Sequence, residues 1–347
     1  MFPPTVLKTG FLRFRRLILL PAQVLLLVAA ACTSDIDLVY ESPGRPVVYC
    51  LLNPLDSIQY LRVSRSFIVR GNPDGQSINP DSLVLAQDFY AYLENEKPDG
   101  TRDIRYFTLS DINRRDSGLF PREGLVVFET RYRVEGGCTY GLYVNFPGIP
   151  KIVAGSVTAV KPVEILDPSP IPGRELTLLP DQGYRLRWSS SIPFAVYQPV
   201  VRFIYIEGDK NFQARRELDL PQNLYYGDNE SVLLTTWLNG ASFIADIASG
   251  LAPPDSGMRR KIIGYDLLMT TGGPELSIFS RSGQNAINAF TGLEDFSNLD
   301  GAVGIFSSIT RAGSYNNRFS DITINLLADG EKTKHLGFMH FTEDFRP

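Results

Sequence analysis

Val126-Val127-Phe128-Glu129-Thr130-Arg131-Tyr132-Arg133-Val134, a turn Glu135-Gly136-Gly137, and Cys138-Thr139-Tyr140-Gly141-Leu142-Tyr143-Val144 decide the reading of this chain. Val126, Phe128, Tyr132 and Val134 alternate with Glu129, Arg131 and Arg133. Cys138, Tyr140, Leu142 and Val144 resume the alternation after the glycines. Side chains of an extended strand point to opposite faces in turn, so a period of two marks strands with one buried face.

The same pattern spreads to both sides. Val48, Cys50 and Leu52 share one face of a first strand, and Leu61, Val63 and Phe67 one face of a second. Leu83, Leu85, Phe89, Ala91 and Leu93 line a third, which ends at Lys97-Pro98-Asp99-Gly100. Further strands are expected over Ile104–Leu109 and Ile152–Val160. About seven short strands with Gly, Pro and Asp turns predict an Ig-like β-sandwich over residues 44–163. Asp167-Pro168-Ser169-Pro170-Ile171-Pro172-Gly173 breaks both helix and strand and is read as a linker. A β-rich second domain, residues 174–347, follows. Tyr184/Leu186/Trp188 and Val201/Phe203/Tyr205 are strand-like there. Ser242 is the expected cap of a helix with Phe243, Ile244, Ile247 and Leu251 on one face, and Pro274 opens a second short helix. Strands are expected at Val303–Ile309, Phe319–Leu327 and His335–Phe341. The expected fold class is therefore mainly β, with one or two short helices.

The chain has 347 residues, 21% charged and 44% hydrophobic, which excludes wholesale disorder. Lys8, Arg13, Arg15 and Arg16 precede an apolar run from Leu17 to Ala31. About 15 apolar residues interrupted by Pro21 are short of the ~20 that a membrane helix needs. The run ends Ala29-Ala30-Ala31-Cys32, which resembles the lipobox of bacterial lipoproteins, with Ala29 where Leu is commoner. That resemblance implies a signal peptide over residues 1–31, lipidation at Cys32 and a tether over 32–43. Loss of residues 1–31 removes four cations and no anion, taking the net charge from −4 to −8. Such a balance disfavours nucleic acid, whose phosphates need clustered Lys and Arg. The acidic run Thr33-Ser34-Asp35-Ile36-Asp37 is similar to the surface-export signal of Bacteroidota lipoproteins, and equally fits a solvated tether.

Near the end stands Asn298-Leu299-Asp300-Gly301-Ala302-Val303-Gly304-Ile305-Phe306-Ser307. With Ser242 to Ile247, Arg259-Arg260-Lys261 and Gly273-Pro274-Glu275-Leu276 before it, this order resembles the Bacteroidota lipoproteins of domain-of-unknown-function family 4249. Asp300 and Ala302 stand where that family's run has Asn and Gly. The resemblance covers nearly all of the mature chain. It implies an envelope location, often alongside outer-membrane import machinery, and no established activity; with the acidic run after Cys32 the expected place is the outer membrane, exposed at the cell surface.

Chemistry-bearing patterns are sparse. His335 and His340, five apart, diverge on a strand or a helix, and no Cys stands near them to complete a zinc site. No Gly-x-Ser-x-Gly elbow is present. Gly330-Glu331-Lys332-Thr333 lacks the upstream glycine of a phosphate loop and reads as a turn. Glu294/Asp295 and Glu343/Asp344 are acid pairs of a kind common on an acidic surface. Asp74 and Asp81, or Asp295 and Asp300, do not fit a calcium loop. Cys50 and Cys138 are two buried thiols or one disulfide. Tyr225-Tyr226 is a packed loop or an aromatic presented to a ligand. The expectation is no catalytic residues, no metal and no cofactor. Function is then that of a non-enzymatic envelope lipoprotein, an accessory binding or assembly partner of an outer-membrane import system. A carboxylate-based glycan hydrolase and a structural or adhesion module are the alternatives. Convergent acids in a cleft would favour the hydrolase, and a flat aromatic patch the accessory protein.

Overall fold

A computed structural model describes residues 46–65, 89–97, 100–110, 127–147, 149–168, 175–285 and 296–345. The leader, Cys32 and the tether, Phe67, Leu83, Leu85, Asp74, Asp81, Val126, Glu294, Asp295 and most of the 167–173 linker lie outside the described residues.

The first half contributes β1 (Pro46–Leu52), β2 (Gln59–Arg65), β3 (Tyr90–Glu96), β4 (Arg102–Tyr106), β5 (Thr108–Leu109), β6 (Val127–Thr130), β7 (Thr139–Asn145) and β8 (Val153–Thr158). They pair antiparallel in two sheets, in the orders β5-β6-β2-β1 and β4-β3-β7-β8. This is the arrangement of an immunoglobulin sandwich with a fourth strand on its second sheet. The expected strand over Ile104–Leu109 is in fact two. Phe107 donates its amide to Ala91 at 2.9 Å, and the chain then crosses to the other sheet as β5. The opening stretch divides similarly, because Glu135-Gly136-Gly137 carries the chain from β6 in one sheet to β7 in the other. Gly137, at φ +89°, takes a conformation that L side chains rarely adopt. Tyr140, fully buried at the start of β7, accepts the Glu135 amide on its hydroxyl at 2.7 Å. That is the tyrosine corner of immunoglobulin domains.

The second half holds β9 (Ile165–Asp167), β10 (Glu175–Leu176), β11 (Gly183–Ser189), β12 (Val196–Gly208), β13 (Gln213–Pro221), β14 (Tyr225–Tyr226), β15 (Leu233–Asn239), β16 (Arg259–Gly272) and β17 (Val303–Phe319). Helices α1 (Gly240–Gly250), α2 (Pro274–Asn285) and α3 (Asp321–Asp329) complete it. Its core gathers Trp188, Phe203, Phe243, Phe319, Leu327 and Phe338 between the sheet β15-β11-β9 and the long strands. The fold is thus mainly β, with three helices among the described residues. Asn239, not Ser242, caps α1, its side chain accepting the Ser242 amide at 3.0 Å. Phe319–Leu327, expected as a strand, is largely α3. Ser320 caps it, and Thr323, Ile324, Leu327 and Ala328 make its buried face. His335–Phe341 is a 3-10 turn (Lys334–Leu336) and a bridge from Phe338 to Arg260, not a strand.

The two cores change over near Val160, yet they share β17. Val303 to Ser308 pair parallel with β1, while Ile309 to Asn317 pair antiparallel with β16. One sheet therefore runs β13-β12-β16-β17-β1-β2-β6-β5 through both halves, and Gly44–Pro347 forms one compact unit. The Asn298–Phe306 run makes this join. Gly304, at φ +128°, lies so close to β1 that a Cβ would sit 2.0 Å from the Val48 carbonyl oxygen. Phe306 and Leu299 then enter the N-terminal core. Asn298 ties the approach down by accepting the Phe306 amide at 2.9 Å and donating to its carbonyl at 2.6 Å.

Candidate functional site

The inner parity of β3 and β7 is buried, which leaves the opposite parity to solvent. On that outer face stand four tyrosines, Tyr90 and Tyr92 from β3, Tyr106 from β4 and Tyr143 from β7. Registry places Tyr106, Tyr92 and Tyr143 side by side across three strands. Ring centroids of Tyr92 lie 5.6 Å from Tyr106 and 5.0 Å from Tyr143, the latter pair near parallel at 19°. Tyr143 leans over Gly141, where an added Cβ would come within 2.8 Å of its ring. Tyr90 and Tyr106 are 51% and 61% exposed, and what sets them apart from the protein's other exposed aromatics is that they stand in one contiguous patch. Asn145 donates to the Tyr90 hydroxyl at 2.7 Å.

The charges of this face offset one another in part, two acids against one base. On the outer parity of the four strands the charged residues are Glu94, Glu96 and Arg102. Arg102 bridges Glu94 at 3.2 Å and Glu96 at 3.8 Å. Thr139 and Thr158 join hydroxyls at 3.1 Å on the neighbouring strands. Burial, and after it the Glu94 charge, raises the Tyr92 phenol, so that ring stays a neutral hydrogen-bond donor. This face went unnoticed in the sequence, although its signal was there. Once Phe89, Ala91 and Leu93 are assigned inward, Tyr90 and Tyr92 must point outward.

A concavity of about 540 Å³ lies between β16, the end of β17 and the C-terminal segment. Arg215, Lys261, Arg318 and His340 line it, with Glu175 as its acid. Glycoside hydrolysis needs two facing carboxylates, and this groove supplies one. His340 is held between carboxylates, its Nε2 2.9 Å from Asp329 and its Nδ1 3.4 Å from Glu343. Asp329, more than Glu343, raises its pKa. Glu343 in turn is held at about 2 by the Arg259 guanidinium and the His340 amide. Both imidazole nitrogens are thus engaged in fastening the C-terminal segment. His335 stands exposed in the 3-10 turn, apart from it.

The remaining sequence candidates are structural. Arg260, 5% exposed, salt-bridges Glu207 at 2.7 Å and donates to the carbonyls of Ala252 and Leu336. Asp344 pairs with Lys261 at 3.2 Å and Asp300 with Lys151 at 2.6 Å. Cys50 and Cys138 are not bonded; burial pushes the Cys50 thiol up, as befits a small core hydrophobe, whereas Cys138, expected as buried, is only half-buried at the edge of the same core. Tyr225 packs edge-on against Trp188, and Arg281 covers the Tyr226 ring at 4.1 Å, so the pair is packed, as the short strand β14 beside β12 and not as the expected loop. Gly330 closes α3 through a bond from its amide to Leu326, and Thr333 bonds back to Gly330, which makes 330–333 a turn. Among the described residues no three His, Cys, Asp or Glu side chains gather as a metal site, and no helix is long and apolar enough to cross a membrane.

No protein-family profile matches the sequence, and no curated protein matches it. Among solved structures, the chain is similar to a protein of domain-of-unknown-function family 4785 from Legionella pneumophila, with 12% identity and a TM-score of 0.19 over 65% of this chain and 52% of that one. It is also similar to DIP-gamma IG1+IG2, with 10% identity and a TM-score of 0.17 over 65% and 89% of the two chains. The C-terminal globular domain of an oligosaccharyltransferase from Pyrococcus abyssi gives 11% identity and a TM-score of 0.16 over 80% and 50%. The chain spans about half the length of the first of these.

Proposed function

We propose that this protein is a non-enzymatic envelope lipoprotein, anchored through Cys32 in the outer membrane and exposed at the cell surface. It serves there as an accessory binding or assembly partner of an outer-membrane import system, the setting implied by its resemblance to family 4249. The observation that carries the binding role is the outward tyrosine face of β3, β4 and β7. Aromatic side chains at such a surface supply contact area at little entropic cost, and their hydroxyls supply direction.

Anchoring is tested by Cys32→Ala. Metabolic labelling with a fatty-acid analogue is expected to mark the wild type and not the variant, and the variant is expected to leave the membrane fraction or stay unprocessed. Single acyl chains bind only marginally, so stable anchoring requires the several chains of a mature lipoprotein. An unlabelled wild type would remove the anchor from the proposal. The import role is tested by affinity purification of the solubilised wild-type protein, in which an outer-membrane transporter is expected. Recovery of the bait alone would sink that role.

A further inference from the structure

We infer that β15 pairs edge to edge with β15 of a second copy of this chain, joining two three-stranded sheets into one across a two-fold axis. β15 ends the sheet β15-β11-β9. Ser190 donates its amide to the Val232 carbonyl at 2.8 Å, and Gly240 donates to the Gln182 carbonyl at 3.0 Å. With that register, Leu234, Thr236 and Leu238 spend their backbone groups on β11. Leu233, Thr235 and Trp237 therefore turn N–H and C=O to the open edge, and no described residue meets them there.

The other sheet-terminal strands are protected against such pairing. β5, β9, β10 and β14 are two or three residues long. β4 carries Arg102, Asp103 and Arg105, and β13 carries Arg215, Arg216, Glu217 and Asp219. Ala154 of β8 exchanges backbone bonds with Asp300 at 2.8 and 3.1 Å. Shortness, charge and cover are the defences by which edge strands avoid foreign strands. β15 has none of them: Leu233-Leu234-Thr235-Thr236-Trp237-Leu238-Asn239 is seven residues without charge, Gly or Pro. Leu233 and Trp237 are 53% and 65% exposed on its outer face. The Trp237 ring leans over Gly183 of β11, where an added Cβ would meet it at 3.4 Å, which leaves the edge clear.

The pattern of the strand selects its occupant. Antiparallel pairing centred on Thr235 sets Thr235 against its own copy and Leu233 against the partner's Trp237, on both sides of the axis. All three positions then exchange backbone bonds in pairs, about six in all. A two-fold interface requires this self-complementarity, and a Thr–Thr pair is a stabilising cross-strand neighbour. Charge does not oppose the pairing. Arg187, level with Thr235 on β11, would stand three strand spacings from its copy, roughly 14 Å, which exceeds the screening length of physiological salt. Asp167 lies 3.5 Å from its guanidinium. The joined sheet would end in the two copies of β9, three residues each, so assembly closes at two chains.

The test uses the full-length protein, detergent-solubilised, in analytical ultracentrifugation over a range of concentrations. The wild type is expected to sediment as a dimer, and the amides of Leu233, Thr235 and Trp237 to exchange more slowly as concentration rises. Thr235→Lys is expected to weaken dimerisation about tenfold or more with an unchanged melting curve, since like charges directly opposite destabilise a strand pair. Thr235→Glu is expected to do the same, and an equimolar mixture of the two variants to recover the dimer. That recovery reads the axis even where a single variant loses stability, because it requires the two charges to meet. A wild type that stays monomeric, a dimer indifferent to both substitutions, or a mixture that fails to pair would each overturn the inference. So would a monomer whose β15 edge is protected by a strand of another protein.

Discussion

The first half of the molecule is a sandwich of strands two to seven residues long, whereas the second rests on β12, β16 and β17, of 13, 14 and 17 residues. The short strands bury one face and expose the other, and their unpaired side is where the tyrosines stand. The long strands are covered by helices and by the C-terminal segment, so most of their aromatics, Phe203 and Phe319 among them, are consumed in a core, with Tyr315 left exposed. The regions also differ in how they are closed. The second half supplies its own strands, while the first borrows β17, with Phe306 and Leu299, from about 140 residues away. A domain can look complete in its own pattern and still lack an element of its core.

That asymmetry is open to experiment. The largest effect is expected at the shared strand. Phe306→Ala should cost about 3–5 kcal/mol, because the ring is fully buried. Gly304→Ala should also be severely destabilising, since its Cβ would meet the Val48 carbonyl. Chemical denaturation followed by circular dichroism should show one cooperative transition for wild type and both variants. Two separated transitions would mean that the halves fold independently of β17. For the same reason residues 44–163 expressed alone should give the dispersed proton NMR spectrum of a folded domain only when the 296–319 segment is supplied.

Next in size is Arg260→Ala. Removing one partner of a buried ion pair typically costs about 3–5 kcal/mol, and the value here falls at the lower end because Glu207 keeps some contact with water. The C-terminal segment should become protease-sensitive while the immunoglobulin half keeps its protection. Equal loss of protection in both halves would contradict the assignment of Arg260 to the second region.

The smallest effect is a pH dependence confined to that segment. His340 has a raised pKa in the fold, so its contribution is complete below its ordinary value of 6.5 and is lost as pH rises through the raised one. Glu343 has a lowered pKa, so its contribution is complete above 4.5 and fades as pH falls toward 2. Hydrogen exchange at Phe341, whose amide donates to Asn325, should therefore be slowest between about pH 4.5 and 6.5 after correction for intrinsic rates. A flat profile across that window would dissociate the two ionisations from docking.

Much of the first half was legible because period two is a local signal. Val48, Cys50, Leu52, Ala91, Leu93, Tyr140 and Val144 are all inward, as their alternation requires. Phe319–Leu327 misled because Ile322, Ile324 and Leu326 satisfy alternation while Ile324, Leu327 and Ala328 satisfy a helical turn. The Ser320 cap and the Thr323 hydroxyl, which accepts the Leu178 amide at 2.8 Å, decided for the helix. The tyrosine face was legible in part. Parity alone turns Tyr90, Tyr92 and Tyr143 outward, but their assembly depends on which strands are neighbours.

Alternation, turns and caps act over a few residues, so the amino-acid sequence by itself determined the strand faces, the Ig-like sandwich, the helix at Pro274 and the sparsity of catalytic motifs. Pairing acts between residues far apart in the chain, and hydrophobic pattern does not encode it. Only the tertiary structure decided that β17 joins both cores through the glycine at 304, and that Tyr106, Tyr92 and Tyr143 align in one row. Both facts rest on inter-strand registry, which backbone hydrogen bonds and close packing select only once distant segments meet.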